Sequence, residues 1–285
     1  MIDWRDIAQR ALRAAVDVRQ QLKIERSKSL CVLDAAAELG LRVQILELGN
    51  FEGLYAKDSL TMVLNAARPG GRRNFTCAHE LGHWYFGHGD HVDGLDFDRS
   101  DSDKPEERLV NQFAAFLLMP RRAVEGAFIA RKLDLAKCGA VGMYSVANQL
   151  GVGYETLIKH LCWGLEIISP SRMEELIATP PKQIRAQVLG YSFTGHLILA
   201  HQAWAHVPID LEVGDMAVVP VGTMIDGPNL ESACRCPLGE LVRARSAGIG
   251  RITTAAGTGA IFVRVSRRGF TGWAKYRHFP DPDTQ

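Results

Sequence analysis

The stretch Phe75-Thr76-Cys77-Ala78-His79-Glu80-Leu81-Gly82-His83-Trp84 contains a His-Glu-x-x-His motif within an apolar run that is compatible with a helix. Residues four apart share a helix face, so the imidazoles of His79 and His83 can point at one ion, with Glu80 about 100° away around the axis. Two imidazoles on one rigid helix supply half of a tetrahedral zinc site, and Glu80 lies where a base would be needed. The stretch therefore predicts a Zn²⁺ site with its own base.

Chance also produces such a motif, because only three letters are fixed, and a His on a helix is more often a surface or core residue than a ligand. The surrounding residues favour the metal. Phe75, Leu81 and Trp84 would bury one face of the helix, and Asn74 is a candidate N-cap at its start. A buried helix that carries two imidazoles and a carboxylate needs polar partners for them, and a metal ion is the simplest one.

A third protein ligand is expected downstream of the motif. His88 and His91 are near, but the metzincin pattern places its third His six residues after the second, where Gly89 stands. The acidic loop between 90 and 103 is more typical of a solvated turn than of a ligand set. The remaining candidate is the carboxylate of Glu107, at the start of a second helical run.

Glu107 and Asn111 are four residues apart on that second run, which Pro120 ends, so they share a helix face. The carboxylate can bind the ion while the Asn side chain reaches a His ligand. Glu106 is the competing carboxylate, one residue out of phase with the apolar face around Val110. The resulting set of two His and one Glu resembles that of thermolysin-type enzymes.

Residues 72–83 and 107–120 together resemble the ImmA/IrrE family of bacterial and phage zinc metallopeptidases, and the similarity covers roughly residues 1–165. The chain departs from the family at Val110, where Ala is usual, and at Cys77, where an aliphatic residue is usual. The resemblance implies a cytoplasmic, gluzincin-like endopeptidase that cuts a helix-turn-helix repressor. Such cleavage would derepress genes of stress response, often after DNA damage, or of anti-phage defence.

The predicted site consists of the Zn²⁺ ligands His79, His83 and Glu107, the base Glu80 and the supporting Asn111. A protease that destroys a repressor must be quiet until it is signalled, and a thiolate can fill the fourth zinc position. The thiols considered for that role are Cys77, Cys138, Cys234 and Cys236. The residue that steadies the oxyanion is left open among Tyr144, His88 and His160, each more commonly structural.

Composition narrows the class of protein. The chain has 285 residues, enough for two domains, and a net charge of +1, so no global field argues for nucleic acid or membrane. We expect a cytoplasmic chain with no membrane partner, because the N-terminus is charged early and no run reaches transmembrane length. The six cysteines form no CxxC pair, which is typical of reduced thiols. The oligomeric state is not indicated.

The predicted fold class is α+β, with a zincin-like metallopeptidase domain over 1–168. Periodicity predicts helices over 3–22 and 30–39 and strands over 41–48, 53–56 and 59–65, one of which would be the edge strand that pairs with substrate. Residues 145–161 have a helix-turn-helix pattern. Its helices could bind DNA, but the few basic side chains there favour a role in the protease core.

The second predicted domain, 169–285, begins at a proline-bounded helical segment and is smaller and mainly β or α+β, with a GAF-like sensor as one option offered by the resemblance. Strands are predicted over 188–191, 196–201, 216–221, 241–245 and 260–265. Basic and aromatic residues are interleaved from 235 to 279, a pattern that single-stranded DNA binding uses. The candidate nucleic-acid residues are Arg243, Arg245, Arg264, Arg267, Arg268, Trp273, Lys275 and Arg277.

A solvated basic face over core aromatics would explain the same pattern. Single-stranded DNA as the activator of the protease is therefore one expectation among others. Two different functions are also open: a DNA-binding regulator that keeps the zinc site for structure alone, and a sensor that binds a partner without cutting it. The intact Glu80 argues against a purely structural zinc site, because such a site needs no base.

Overall fold

The computed structural model describes residues 4–94, 104–201, 204, 207–253 and 260–280. Its helices are α1 (Trp4–Gln21), α2 (Val32–Glu38), α3 (Gly70–Phe86), α4 (Pro105–Leu118), α5 (Arg121–Ala130), α6 (Ala140–Gln149), α7 (Tyr154–Lys159), α8 (Pro170–Ile177) and α9 (Pro181–Leu189). A π-helical turn spans His160–Gly164 and a 3₁₀ turn spans Ala274–Tyr276. No described helix is both long enough and apolar enough to cross a membrane.

The strands form three sheets. They are β1 (Arg42–Leu46), β2 (Phe51–Ala56), β3 (Thr61–Asn65), β4 (His91–Gly94), β5 (Leu197–Leu199), β6 (Ile209–Glu212), β7 (Met216–Val219), β8 (Met224–Asp226), β9 (Leu230–Cys236), β10 (Gly239–Ala244), β11 (Gly248–Thr253), β12 (Ala260–Ser266) and β13 (Gly272–Trp273). The first sheet has the order β13-β1-β3-β2-β4, the second β5-β7-β10-β9 and the third β6-β12-β11-β8.

The three strands predicted before the motif are present, but none of them is an edge. Among the described residues, β4 and β13 are the two edges of the first sheet. β4 pairs antiparallel with β2. At the other edge, β13 comes from the far end of the chain and pairs with β1 through Gln44 and Trp273. The expectation that one of the three predicted strands is an edge strand was therefore wrong, and the edge beside β2 is β4.

The motif helix α3 starts earlier than predicted, at Gly70 after Pro69, so Asn74 is not its N-cap. Asn74 instead donates a hydrogen bond to the Gly151 carbonyl, 2.8 Å away. The start of α3 packs against the turn between α6 and α7, where a side chain at Gly71 would collide with the backbone of Val152. This contact explains the glycine at position 71.

Arg19 ties α1 to the end of α4. The guanidinium is buried, and its Nε donates to the Leu117 carbonyl at 2.8 Å while Nη1 donates to the Glu25 and Lys28 carbonyls at 3.0 Å each. Burial lowers the pKa of Arg19 to about 10, so the side chain stays charged at neutral pH. A buried cation held by carbonyl oxygens fixes the C-terminal turn of α4, whose orphan carbonyls need donors.

The helix-turn-helix-like segment belongs to the interior. Val146, Leu150, Leu157 and Leu161 are all buried in the same hydrophobic cluster as α3 and α4. α7 spans only Tyr154–Lys159 before the π-helical turn. Because its apolar face is committed to the core, this segment packs in the same core as the motif helix, as its few basic residues favoured.

The C-terminal part differs from its prediction in two ways. Residues 188–191 are not a strand, because Val188 and Leu189 end α9 and Gly190 caps it in the left-handed region at φ 79°. The predicted boundary at 168/169 does not separate the hydrophobic clusters, since α8, α9 and one face of β5, β7 and β10 pack into the first cluster. A second cluster fills the space between the two C-terminal sheets. A GAF-like fold stays a prediction.

Candidate metal centre

The structure brings together His79, His83 and Glu107, whose ligand atoms all lie within 4.8 Å of one another. The two Nε2 atoms are 3.0 Å apart, and the Glu107 carboxylate oxygens lie 3.4 Å from His79 Nε2 and 3.7 Å from His83 Nε2. Ligands about 2.0–2.1 Å from a tetrahedral zinc are separated by about 3.4 Å. The three buried donors, two nitrogens and one carboxylate, therefore fit a zinc ion in both kind and spacing.

A glycine allows α4 to approach α3 closely enough for this cluster. A methyl group on Gly82 would come within 3.0 Å of Phe113 Cδ1 and of Val110 Cβ, both on α4. The second helix therefore runs directly over the motif, and its first turn places Glu107 beside the imidazoles. Glu107 is buried and Glu106 is exposed, which agrees with the helix phase that favoured Glu107.

Each imidazole has a partner for its second nitrogen. His79 Nδ1 lies 3.1 Å from Asn111 Oδ1, so Nδ1 carries the proton and Nε2 presents its lone pair to the cluster. His83 Nδ1 lies 2.9 Å from His88 Nδ1. If His83 donates in this pair, its Nε2 likewise presents a lone pair to the cluster. Such partners fix the tautomer and orientation of metal-binding imidazoles.

Glu80 lies beneath strand β2. Its side chain is fully buried, and a methyl group on Gly53 would approach Glu80 Oε1 to 3.2 Å. Glycine at this position therefore makes room for the carboxylate between helix and sheet. Burial of this kind keeps bulk water from the carboxylate, which suits a group that must exchange a proton at one defined place.

The candidate thiols are not brought to this centre. Among the described residues the ligand group contains no cysteine sulfur. Burial raises the pKa of Cys77 and that of Cys138, so both thiols hold their protons at neutral pH. Cys234 and Cys236 lie on β9 in the second sheet. A cysteine that closes the zinc site stays a prediction that this conformation does not display.

Two of the three candidate oxyanion residues are engaged elsewhere. The Tyr144 hydroxyl donates to the Leu197 carbonyl at 2.7 Å, and His160 Nε2 lies 3.0 Å from the Met119 carbonyl. His88 alone of the three lies at the centre, on the outer nitrogen of His83. Its place beside a ligand had no signal in the sequence, where His88 was considered as a third ligand, set aside on spacing, and as an oxyanion residue.

The nucleic-acid candidates divide into two groups. Arg264, which is largely buried, and Arg277, which is buried, are engaged in an ion-pair network with Asp34 and Asp210, and their contact with nucleic acid stays a prediction that this arrangement does not favour. Trp273 is half-buried on β13 with the Arg42 guanidinium 5.6 Å from its ring. The exposed basic residues are Arg243, Arg245, Arg267, Arg268 and Lys275.

Comparison with known proteins finds one family model that matches part of the chain. Residues 36–161 match the model of Peptidase_M78, the IrrE N-terminal-like domain. A search of curated proteins finds no match. Among solved structures, a Mycobacterium tuberculosis transcriptional regulator is similar over 55% of this chain and 46% of that chain, at 19% identity and a TM-score of 0.38. This chain thus covers less than half of that protein, and the TM-score is too low to indicate a shared fold.

Proposed function

We propose, from the premise that residues 36–161 belong to the IrrE N-terminal-like family, that this chain is a zinc-dependent endopeptidase that cleaves a helix-turn-helix repressor. The observation that carries the proposal is the buried group of His79, His83 and Glu107, with the buried Glu80 next to His79 on the same helix. A structural metal would need no carboxylate held next to it without being a ligand. The combination is the one that peptide hydrolysis requires.

When bound, a zinc ion would supply a polarised water and a Lewis acid for the scissile carbonyl. The protein's own residues have separate tasks. Asn111 and His88 hold the two imidazoles in place, and Glu80 takes a proton at its carboxylate and later gives it to the leaving amine. Gly53 and strand β2 cover Glu80 and keep other water away.

The substrate would bind as an extended strand along the outer edge of β4. β4 is the edge of the first sheet nearest β2, which covers Glu80, whereas β13 lies beyond β1 at the opposite edge. An edge strand offers unpaired backbone groups that an extended peptide can pair with. The repressor itself is inferred from the family resemblance, since a neighbouring small helix-turn-helix protein is the substrate that such peptidases cut.

The activating signal in this proposal is single-stranded DNA bound by the C-terminal part. Its support is the exposed set of basic residues there, together with the exposed rings of Phe262, Tyr276 and Phe279. Arginine meets phosphate and aromatic rings stack on bases. With Arg264 and Arg277 buried, the surface offers fewer cations than the sequence suggested.

The test is a cleavage assay with candidate helix-turn-helix proteins, with and without single-stranded oligonucleotides. We expect zinc-dependent cleavage by the wild-type protein and none by Glu80→Gln. Fluorescence anisotropy at several salt concentrations gives the slope of log binding constant against log salt concentration. In the double variant Arg267→Gln, Arg268→Gln this slope should become shallower by the equivalent of about two phosphate contacts. Lys159→Gln, on α7, is the control and should leave the slope unchanged. Cleavage that does not depend on DNA would support the proposed peptidase activity and contradict single-stranded DNA as its activating signal.

A further inference from the structure

A cavity of about 400 Å³ lies where the peptidase helices meet the C-terminal strands. Its walls come from the start of α3, the turn between α6 and α7, the segment around β5 and β6, and the end of β12. The volume is within the range of about 300–1,000 Å³ that small-molecule sites occupy. The metal-binding residues are not among its lining residues, so the cavity is separate from the candidate metal centre.

One wall of the cavity is charged. Arg73 comes from α3, Arg185 from α9, and Glu212 and Asp215 from β6 and the turn that follows, with His196 between them. Arg73 Nη2 lies 2.8 Å from Glu212 Oε1. Arg185 Nε donates to a neutral acceptor, the Phe193 carbonyl at 3.3 Å.

The two carboxylates have different roles. Asp215 accepts the backbone N–H of His196 at 3.0 Å and that of Glu212 at 2.9 Å, one on each oxygen, and so fixes the turn. Glu212 uses one oxygen for Arg73 and the other for the backbone N–H of Gly269 at 3.2 Å. Glu212 is thus the protein's own carboxylate that pairs with Arg73 in this wall.

The opposite side is apolar and rigid. Trp204, Phe270 and Ile198 line it, and all three are buried. Beside them Arg264 makes a bidentate pair with Asp210, with two N···O distances of 2.8 Å. This arginine is saturated, so it forms a fixed wall rather than a receptor for another anion.

We propose that this cavity binds a small organic anion, a carboxylate or phosphate group on an apolar or aromatic body, with Arg73 and Arg185 as its receptors. The anionic group takes the place of the Glu212 carboxylate at Arg73, because guanidinium groups bind carboxylate and phosphate oxygens with the same geometry. The body of the ligand lies against Trp204 and Phe270. His196, whose pKa burial lowers so that it is neutral near pH 7, offers one further N–H.

Binding would act on the motif helix. Arg73 stands six residues before His79 on α3, and its pair with Glu212 joins that helix to the C-terminal strands. Exchange of Glu212 for a ligand anion releases this connection while the ligand occupies the same arginine. Hydrogen exchange should therefore change at the start of α3 and in β6 when the ligand binds.

Isothermal titration calorimetry on the full chain tests the site, and it needs no peptidase activity. The probes are two matched pairs, hexanoate with hexanamide and adenosine monophosphate with adenosine, together with inorganic phosphate. We expect at least one organic anion to bind with a Kd below about 1 mM while its neutral partner does not bind. Which pair responds distinguishes a carboxylate ligand from a phosphate ligand, and binding by inorganic phosphate alone would overturn the apolar part of the proposal.

Three variants sharpen the test. Arg185→Gln should weaken binding by about tenfold or more, because a charged hydrogen bond is lost. Glu212→Gln should strengthen binding, since the internal competitor loses its charge, and no merely structural role predicts a gain. Arg122→Gln, at an exposed arginine on α5 outside the cavity lining, should change nothing. Binding of the neutral partners, binding of none of the anions, or equal affinities in all three variants would each overturn the proposal.

Discussion

Gly53 and Glu80 are in contact across the interface of sheet and motif helix. A methyl group on Gly53 would stand 3.2 Å from Glu80 Oε1 and 2.6 Å from Thr76 Cγ2. Contacts this short force a neighbour to move, and the neighbours here are the proposed base and the helix that carries it. The backbone of β2 thus covers the site, and only glycine at position 53 allows β2 to lie this close to α3.

Gly53→Ala should reduce peptidase activity and lower the free energy of unfolding by about 1–3 kcal/mol, because it overpacks the interface. Gly126→Ala is the control, since a methyl group there meets nothing within 4 Å and α5 should tolerate or favour alanine. Thermal unfolding and a cleavage assay on both variants check this. Full activity in Gly53→Ala would contradict this prediction, because it would show that the interface of β2 and α3 accommodates the added methyl group.

Removal of ligands should separate metal binding from chemistry. Glu80→Gln should keep a full equivalent of zinc and lose proteolysis, whereas Glu107→Ala should lose zinc because a ligand is gone. Glu106→Ala, at the exposed neighbouring position, should keep both. Metal content by atomic emission after dialysis measures the three variants. Zinc retained without Glu107 but not without Glu106 would reverse the choice of third ligand.

His88 should act as a positioning residue for His83. Its Nδ1 lies 2.9 Å from the outer nitrogen of that ligand, and loss of such a partner costs about 10–100-fold in metal affinity. His88→Ala should weaken zinc binding by this factor in a competition with a chromophoric chelator, and His88→Gln should restore part of it. Identical affinities in all three proteins would mean that the contact does not orient the ligand.

Local pattern was enough to predict the metal ligands. A four-residue spacing on a helix determines which side chains share a face, so periodicity paired His79 with His83 and Glu107 with Asn111, and the need for a third ligand brought the two pairs together. The same reasoning chose Glu107 over Glu106. The limits of α1, α2 and the strands that flank the motif followed from hydrophobic period and from glycine stops.

Long-range pairing could not be predicted in this way. The ion pairs that bury Arg264 and Arg277 join α2 to β6 across about two thirds of the chain, and no local pattern distinguishes such arginines from solvated ones. The pairing of β13 with β1 and the edge position of β4 depend on topology. His88 reaches His83 through the left-handed Gly87 that ends α3 at φ 72°, a turn that spacing rules do not describe.

The Arg264 network should contribute to stability. Arg264→Met leaves Asp210 without its bidentate partner, and because Asp210 is partly exposed the cost is about 1–3 kcal/mol, less than for a fully buried pair. Arg251→Met, on the neighbouring strand β11, is the control, because its pair with Asp226 is exposed and should matter by less than about 1 kcal/mol. Urea unfolding of the two variants compares them. Equal midpoints would contradict the structural role assigned to Arg264.

His160 should make stability depend on pH. Burial lowers its pKa from the ordinary 6.5 to about 4, while its Nε2 lies 3.0 Å from the Met119 carbonyl, as a neutral donor requires. The unfolded chain therefore takes up a proton before the folded one, so the contribution is complete above pH 6.5 and is lost as the pH falls from 6.5 to about 4. The loss is up to about 3 kcal/mol. His160→Gln should flatten the slope of unfolding free energy against pH in this window, and Lys159→Gln, its exposed neighbour, should not. The same slope in His160→Gln and in wild type would show that His160 keeps an ordinary pKa in the folded protein.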